Sequence, residues 1–246
     1  MRALLKLTWL EIKIFMREPL GVVGSVVIPV VIFLGLSRGF GPALARPGRL
    51  PDRIQPWFLY VLPTMFIALS AVTSLVAIIA IYREGGILKR LRATPMRPYT
   101  ILGAHVLVKL LLTVLSVSIM GLAGRRYFPP DTPFISYVAA LVLTTVSLLS
   151  IGFVIASVVP TARFAQPFTT LILYSMLVVS GLFFGIGLLP APLALVSRVL
   201  PLTYAVSLLR GIALGEPWST HAGDVLGLFV TCGICSFVST KVFRWE

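Results

Sequence analysis

The chain has 246 residues, 58% of them hydrophobic and 12% charged, about half the charged share of a soluble domain. Lys and Arg total 21 against 8 Asp and Glu, a formal net charge of +13. So little polar surface excludes a water-soluble globular domain, and the uncharged stretches 54–82, 132–162 and 164–197 each exceed the roughly 20 residues that cross a bilayer.

The composition therefore predicts an all-α polytopic membrane protein. Its basic excess belongs to helix ends and anionic lipid, and no nucleic-acid partner is expected. Residues 1–18 come first and are patterned rather than uniformly apolar. Arg2, Lys6, Lys13 and Arg17 share one side of a helical wheel, while Leu4, Leu5, Trp9, Ile12, Phe15 and Met16 form a broad neighbouring face. This predicts an interfacial helix along a membrane surface, with Trp9 at headgroup depth. Pro19 marks the turn into the first span. That apolar run ends at Ser37 without a convincing cleavage motif, so it is expected to be a retained helix.

Six transmembrane helices are predicted, at about 19–38, 57–81, 101–123, 134–159, 168–189 and 222–242. The second is long enough to tilt and has Pro63 near its start. The third is interrupted by Lys109, whose stem can carry its amine to the interface if it lies one or two turns inside. Cys232 and Cys235 make a C-x-x-C in the sixth, without a second thiol pair or a nearby His; they are expected to be small packing residues. Twelve Lys and Arg flank the spans on the side holding both termini and the loops 82–100 and 160–167, against eight on the other side. That bias predicts cytoplasmic termini.

None of the eight acidic residues falls in the middle of a predicted span, which disfavours a proton-coupled carrier, and no charged polar cavity is expected. His105 and His221 are expected near opposite faces, so they form no shared metal site. There is no G-x-x-x-x-G-K-[ST] phosphate loop and no Ser or Cys nucleophile with a convincing base beside it. No catalytic residue, metal ligand or bound cofactor is assigned, so a transporter of this kind must borrow its energy. The loop 82–99 is the best feature for that. Gly85 and Gly86 turn the chain, Ile87, Leu88 and Leu91 form an apolar edge, Lys89, Arg90 and Arg92 supply charge, and Pro95 ends the helix. It reads either as a rigid lever between two spans or as an ordinary interfacial loop rich in positive charge.

The segment Glu84–Pro95 (EGGILKRLRATP), followed by Ile101-Leu-Gly-Ala-His105, resembles the cytoplasmic loop and third-helix entry of the ABC-2 type transporter permeases. Ser180–Phe184 and Pro201–Gly211 (PLTYAVSLLRG) match further stretches, and the resemblance covers essentially the whole chain, 1–246, as one transmembrane domain. Leu200 replaces a frequent Asn and Gly185 stands near a frequent Pro, departures that bear on the local outer turn. The resemblance implies the permease subunit of an ATP-binding cassette exporter in the inner or plasma membrane. Such a subunit pairs with a second permease copy, as a homodimer, and sits on two copies of a separate ATPase subunit that holds the ATP and Mg. Glu84, Gly85, Gly86, Ile87, Leu88, Leu91 and Arg92 would then form the coupling helix, with the amino-terminal helix adding to the contact. Residues 190–223 would dip back as two short re-entrant helices, with Pro201, Tyr204 and Arg210 at the outer gate. Gly181 and Gly185 make a G-x-x-x-G pair that permits close helix contact, at the dimer seam or within one subunit. Tyr174, Gln166, Thr169, Thr170, Tyr60 and Phe66 are candidates for lining a route, and an apolar-lined path suits an amphiphilic drug, lipid or glycolipid. The alternative is a gradient-driven carrier or channel with no ATPase partner.

Overall fold

Apolar runs this long must satisfy their backbone internally, and helices do so within one segment. The computed structural model describes residues 2–17, 22–44, 58–86, 98–125, 134–159, 161–183 and 186–242, and no strand occurs among them. The amino-terminal helix α1 is Arg2–Arg17. A π-helical turn, Val23–Val27, leads into α2, Ile28–Leu44. Helices α3 (Phe58–Phe66) and α4 (Thr73–Glu84) are joined through the π-helical stretch Ile67–Val72 into one rod. Then come α5 (Pro98–Ala123), α6 (Phe134–Val158), α7 (Ala162–Val179), α8 (Ala191–Ser197), α9 (Pro201–Ala213) and α10 (Ala222–Val242).

Five helices among the described residues are long and apolar enough to cross a membrane: Tyr60–Glu84, Gly103–Ala123, Phe134–Val158, Ala162–Val179 and Ala222–Ser239. The pair α8–α9, bent by 79°, makes a sixth or a re-entrant loop. The chain is thus a largely helical, polytopic membrane protein with five to six apolar spans. Two predicted spans differ from the observed helices. The first is expected at 19–38; its start lies outside the described residues, helix continues from the π-helical turn Val23–Val27 to Leu44, and within the described residues the apolar helix Ile28–Gly39 is shorter than a full crossing. The fifth was placed at 168–189; the helix starts at Ala162 and stops at Val179. Gly181 takes φ +80° just beyond it, a left-handed conformation that glycine adopts without strain and that ends the helix.

Helix α6 sits at the centre, packed against α4, α5, α9 and α10. Its buried face mixes Tyr137, Leu141, Leu148, Leu149 and Ile155 with small or weakly polar residues such as Ala140, Thr144, Ser147, Gly152 and Ala156, and the small ones let neighbouring backbones approach closely. The buried hydroxyls are mostly satisfied within their own helix: Thr145 donates to the Leu141 carbonyl at 2.7 Å and Ser157 to that of Phe153 at 2.7 Å. Ser147 instead reaches across to the Leu228 carbonyl of α10 at 3.2 Å. At Gly152 an added Cβ would lie 3.2 Å from the Leu75 side chain and 3.3 Å from that of Val72, so α4 and α6 meet without slack. Helix α1 lies along α5, burying Thr8 and leaving Leu5, Trp9 and Met16 exposed.

Candidate functional site

Three consecutive residues at the end of the α3–α4 rod tie it to four other elements. Successive helical side chains point about 100° apart, so Tyr82, Arg83 and Glu84 face three different neighbours. The Tyr82 hydroxyl lies 2.5 Å from His105 Nε2 on α5, and His105 Nδ1 lies 3.3 Å from a Glu11 carboxylate oxygen on α1. A neutral ring protonated on Nδ1 satisfies both, accepting from Tyr82 and donating to Glu11. The Arg83 guanidinium donates to the carbonyls of Val159 at 2.6 Å and Ala156 at 3.0 Å. These lie in the last turn and just past the end of α6, where carbonyls lack helical partners and the helix dipole favours a cation. Glu84 accepts the Ala162 N–H at 2.9 Å. The N-cap residue Thr161 is extended and makes no side-chain cap bond, so a carboxylate from another helix caps α7. Immediately after this hub the chain turns: Gly85 and Gly86 donate to the Ile81 and Arg83 carbonyls, and Gly86 takes φ +65°.

The opposite end of the bundle carries a second polar cluster. Buried His221 lies with Nδ1 2.8 Å from Asp224 of α10 and Nε2 2.8 Å from Glu216 of the preceding turn. Each ring nitrogen thus faces a carboxylate oxygen that can accept a hydrogen bond. Ser207 of α9 donates to the same Asp224 oxygen at 2.7 Å. Gly211 lies beneath the ring: an added Cβ would fall 1.8 Å from Nε2. A 390 Å³ pocket opens beside this cluster, lined by Arg210, Thr203 and Ser180 among others. The two histidines thus stand at opposite ends, and among the described residues no group of three His, Cys, Asp or Glu is arranged to hold a metal.

One end of this multi-spanning bundle thus gathers five helices directly before a basic stretch of sequence, and comparison with known proteins names the kind of protein. The ABC-2 type transporter family matches residues 2–214. The chain belongs to that family. Among its relatives is nodulation protein J of Rhizobium leguminosarum bv. trifolii, 25% identical over 228 residues, which cover 90% of this chain and 84% of that protein. Nodulation protein J of Rhizobium meliloti (strain 1021) is 23% identical over 231 residues, 91% and 85% of the two chains. The protein of the same name from Rhizobium leguminosarum bv. viciae is 24% identical over 230 residues, 91% and 86%.

The structure disperses the other sequence-predicted residues of this ABC-2 chain. Ile87, Leu88, Leu91 and Arg92 lie outside the described residues, as does Gly185. Gly181 lies in the turn past α7, so it presents no helix face from which a G-x-x-x-G ridge could continue. Tyr174 points out of the bundle, in line with exposed Phe164, Leu171 and Val178, and so does Gln166. Tyr60 and Thr169 are buried. Pro201 opens α9, where its missing N–H costs nothing. Tyr204 holds the α8–α9 bend by donating to the Arg198 carbonyl at 2.5 Å. Arg210 lies 5.9 Å from the Tyr60 ring centre, a cation–π contact that links α9 to α3.

Sequence reasoning missed Tyr82, Arg83, Glu11 and His105 as a unit. It also missed a 380 Å³ cavity beside them, lined by Glu11, Tyr82, His105, Ser74 and Lys109. The expectation of no charged polar cavity is therefore corrected. An ionisable group in a predicted span, Lys109, was the available signal, but the sequence equally allows its amine to reach the interface from one or two turns inside.

Proposed function

We propose that this chain is the permease subunit of an ATP-binding cassette exporter. It pairs with a second copy of itself on two copies of a separate ATPase subunit, which holds ATP and Mg, and it exports an amphiphilic drug, lipid or glycolipid. The hub at Tyr82–Glu84 carries the proposal, because in an ABC-2 chain it stands directly before the loop 87–97. In this reading the Glu84 end and both termini face the cytoplasm, and the loop docks on the ATPase through Ile87, Leu88, Leu91 and Arg92. Closure of the ATPase around ATP displaces the loop and with it the end of α4. The ties then convey that displacement to α1 and α5 through Tyr82, to α6 through Arg83 and to α7 through Glu84. Hydrolysis and release restore the first arrangement. The bent pair α8–α9, with Pro201, Tyr204 and Arg210, gates the outer exit.

The test is reconstitution of the permease with an ABC ATPase subunit in proteoliposomes. ATP hydrolysis and ATP-dependent movement of a fluorescent amphiphile are expected to rise together. Leu88→Asp and Leu91→Asp place charge on the docking edge and are expected to abolish the stimulation while leaving the melting temperature of the purified permease unchanged. Transport that runs without the ATPase and follows a proton gradient or membrane potential would refute the proposal.

A further inference from the structure

Lys109 lies deep in the bundle. Its Nζ donates to Ser70 Oγ at 3.3 Å, and among the described residues no carboxylate lies within ion-pair distance of it. Ser70 is 14 residues before Glu84 in a continuous rod, about 21 Å along the helix axis at 1.5 Å per residue. The amine therefore does not reach the interface by way of its stem, as the sequence suggested, but stays near mid-bilayer. An ammonium group at that depth is costly and is kept where it meets a substrate or ion pathway.

The surroundings are built for a molecule with two characters. On the Glu84 side of Lys109 is the 380 Å³ cavity, with Tyr82, His105 and Glu11 at its rim and Phe15, Ile78 and Leu112 on its walls. Glu11 is engaged with His105, and Ser74 donates to the Ala71 carbonyl at 3.1 Å; among the described residues that line the space, Lys109 alone is a Lys or Arg. On the other side of the Lys109–Ser70 pair, Ser70 lines a second space, a 320 Å³ apolar cleft walled by Ile32, Met65, Phe66 and Leu69. Both π-helical segments border this cleft, Gly24 from the first and Leu69 and Ser70 from the second. π turns widen the backbone spiral locally and recur at functional sites.

We infer that the Lys109–Ser70 pair binds the anionic group, phosphate or carboxylate, of an amphiphilic substrate whose apolar part occupies the adjoining cleft. This assignment deepens the exporter proposal and rests on it for the role of the bound molecule as cargo. It changes the expected cargo from merely amphiphilic to acidic. The bound anion supplies the charge partner that the described residues do not, in charge-assisted hydrogen bonds to Nζ, and the Ser70 hydroxyl, released from Lys109, donates a further one.

Binding of oleoyl lysophosphatidate and of uncharged monooleoylglycerol to the purified permease, titrated by native mass spectrometry from neutral detergent, tests the site without any ATPase. The acidic lipid is expected to bind at least about tenfold more tightly, the equivalent of one modest charge contact. Lys109→Met, which keeps the length and removes the charge, is expected to erase the difference. Lys109→Arg is expected to retain it, and thermal melting of both variants checks the fold. Equal affinity for the two probes, or a difference that survives in Lys109→Met, overturns the inference. One-for-one displacement of lysophosphatidate by phosphatidylglycerol, but not by phosphatidylcholine, would assign the site to a resident lipid and overturn its role for cargo. If charge-selective binding holds while ATP-coupled transport fails, the exporter proposal falls and the anion site stands. If coupled transport holds without charge selectivity, the reverse follows.

Discussion

Replacing His221 by Ala removes both ring contacts that lash α9, the following turn and α10 together. Hydrogen bonds to charged partners contribute about 1.5–3 kcal/mol each. The two contacts here are unequal. Asp224 is only 18% exposed and would lose its ring partner in a poorly hydrated place. Glu216 is 46% exposed, so water replaces its partner and that contact is discounted. Asp224 also keeps its bond from Ser207. The sum is roughly 2–3 kcal/mol, which corresponds to about a 30–150-fold shift in the local opening equilibrium. Global melting need not register so local an effect; amide hydrogen exchange does. With the permease in nanodiscs, exchange across residues 203–224 is expected to accelerate by that factor, while α6 stays as protected as before. Gly211→Ala acts on the same point from beneath, since its Cβ would sit 1.8 Å from His221 Nε2 and must push the ring away. The overpacking cost of about 1–3 kcal/mol exceeds or matches the roughly 1 kcal/mol of helix propensity that alanine returns. Unchanged exchange over 203–224 in both variants would refute the idea that this cluster fastens the bent pair.

Arg83→Met removes the guanidinium donor from the carbonyls of Ala156 in α6 and Val159 just past it and is expected to lower permease stability by about 2–3 kcal/mol, read as faster exchange over residues 153–162. Glu84→Gln retains an oxygen acceptor for the Ala162 N–H but loses the charge at the α7 N-terminus, worth about 0.3–1 kcal/mol; coupled ATP hydrolysis is expected to fall less than in Glu84→Ala. Tyr82→Phe removes the hydroxyl from His105 and is expected to loosen α1 against α5 by about 1 kcal/mol, seen as increased exchange in residues 4–17 with little change in α6.

The spans were legible because bilayer crossing imposes a length and a composition that hydropathy reads directly. Where helices stop inside an apolar run was not. Residues 180–189 are as apolar as those before them, so only the left-handed Gly181 marks the end of α7, and a backbone angle leaves no trace in hydropathy. The π-helical stretches were equally invisible, because Ile67–Val72 has the composition of any apolar helix. Glu84 was singled out through family resemblance as a coupling residue, yet its observed partner is the Ala162 N–H, 78 positions away. Arg83 acts 73 and 76 positions away. A single sequence holds no record of such pairings. Lys109 shows a subtler failure: snorkelling is sound physics for a lysine near a span end, and only the register of α5 against the rod, fixed by Ser70, places this one at depth.

The two ends of the bundle are fastened in ways that constrain how a push at one end reaches the other. At the Glu84 end the ties fall on helix termini: Arg83 holds the C-terminus of α6 and Glu84 the N-terminus of α7, either side of a connection only three residues long. Helices held by their ends move as units, and the close meeting of Gly152 with Leu75 and Val72 opposes sliding of α4 past α6. At the other end α6 packs on α9 and α10, which His221, Asp224 and Ser207 bind to one another. On the proposed mechanism a displacement of the loop at Gly85–Gly86 therefore travels as a rigid shift of α6 to the bent pair α8–α9.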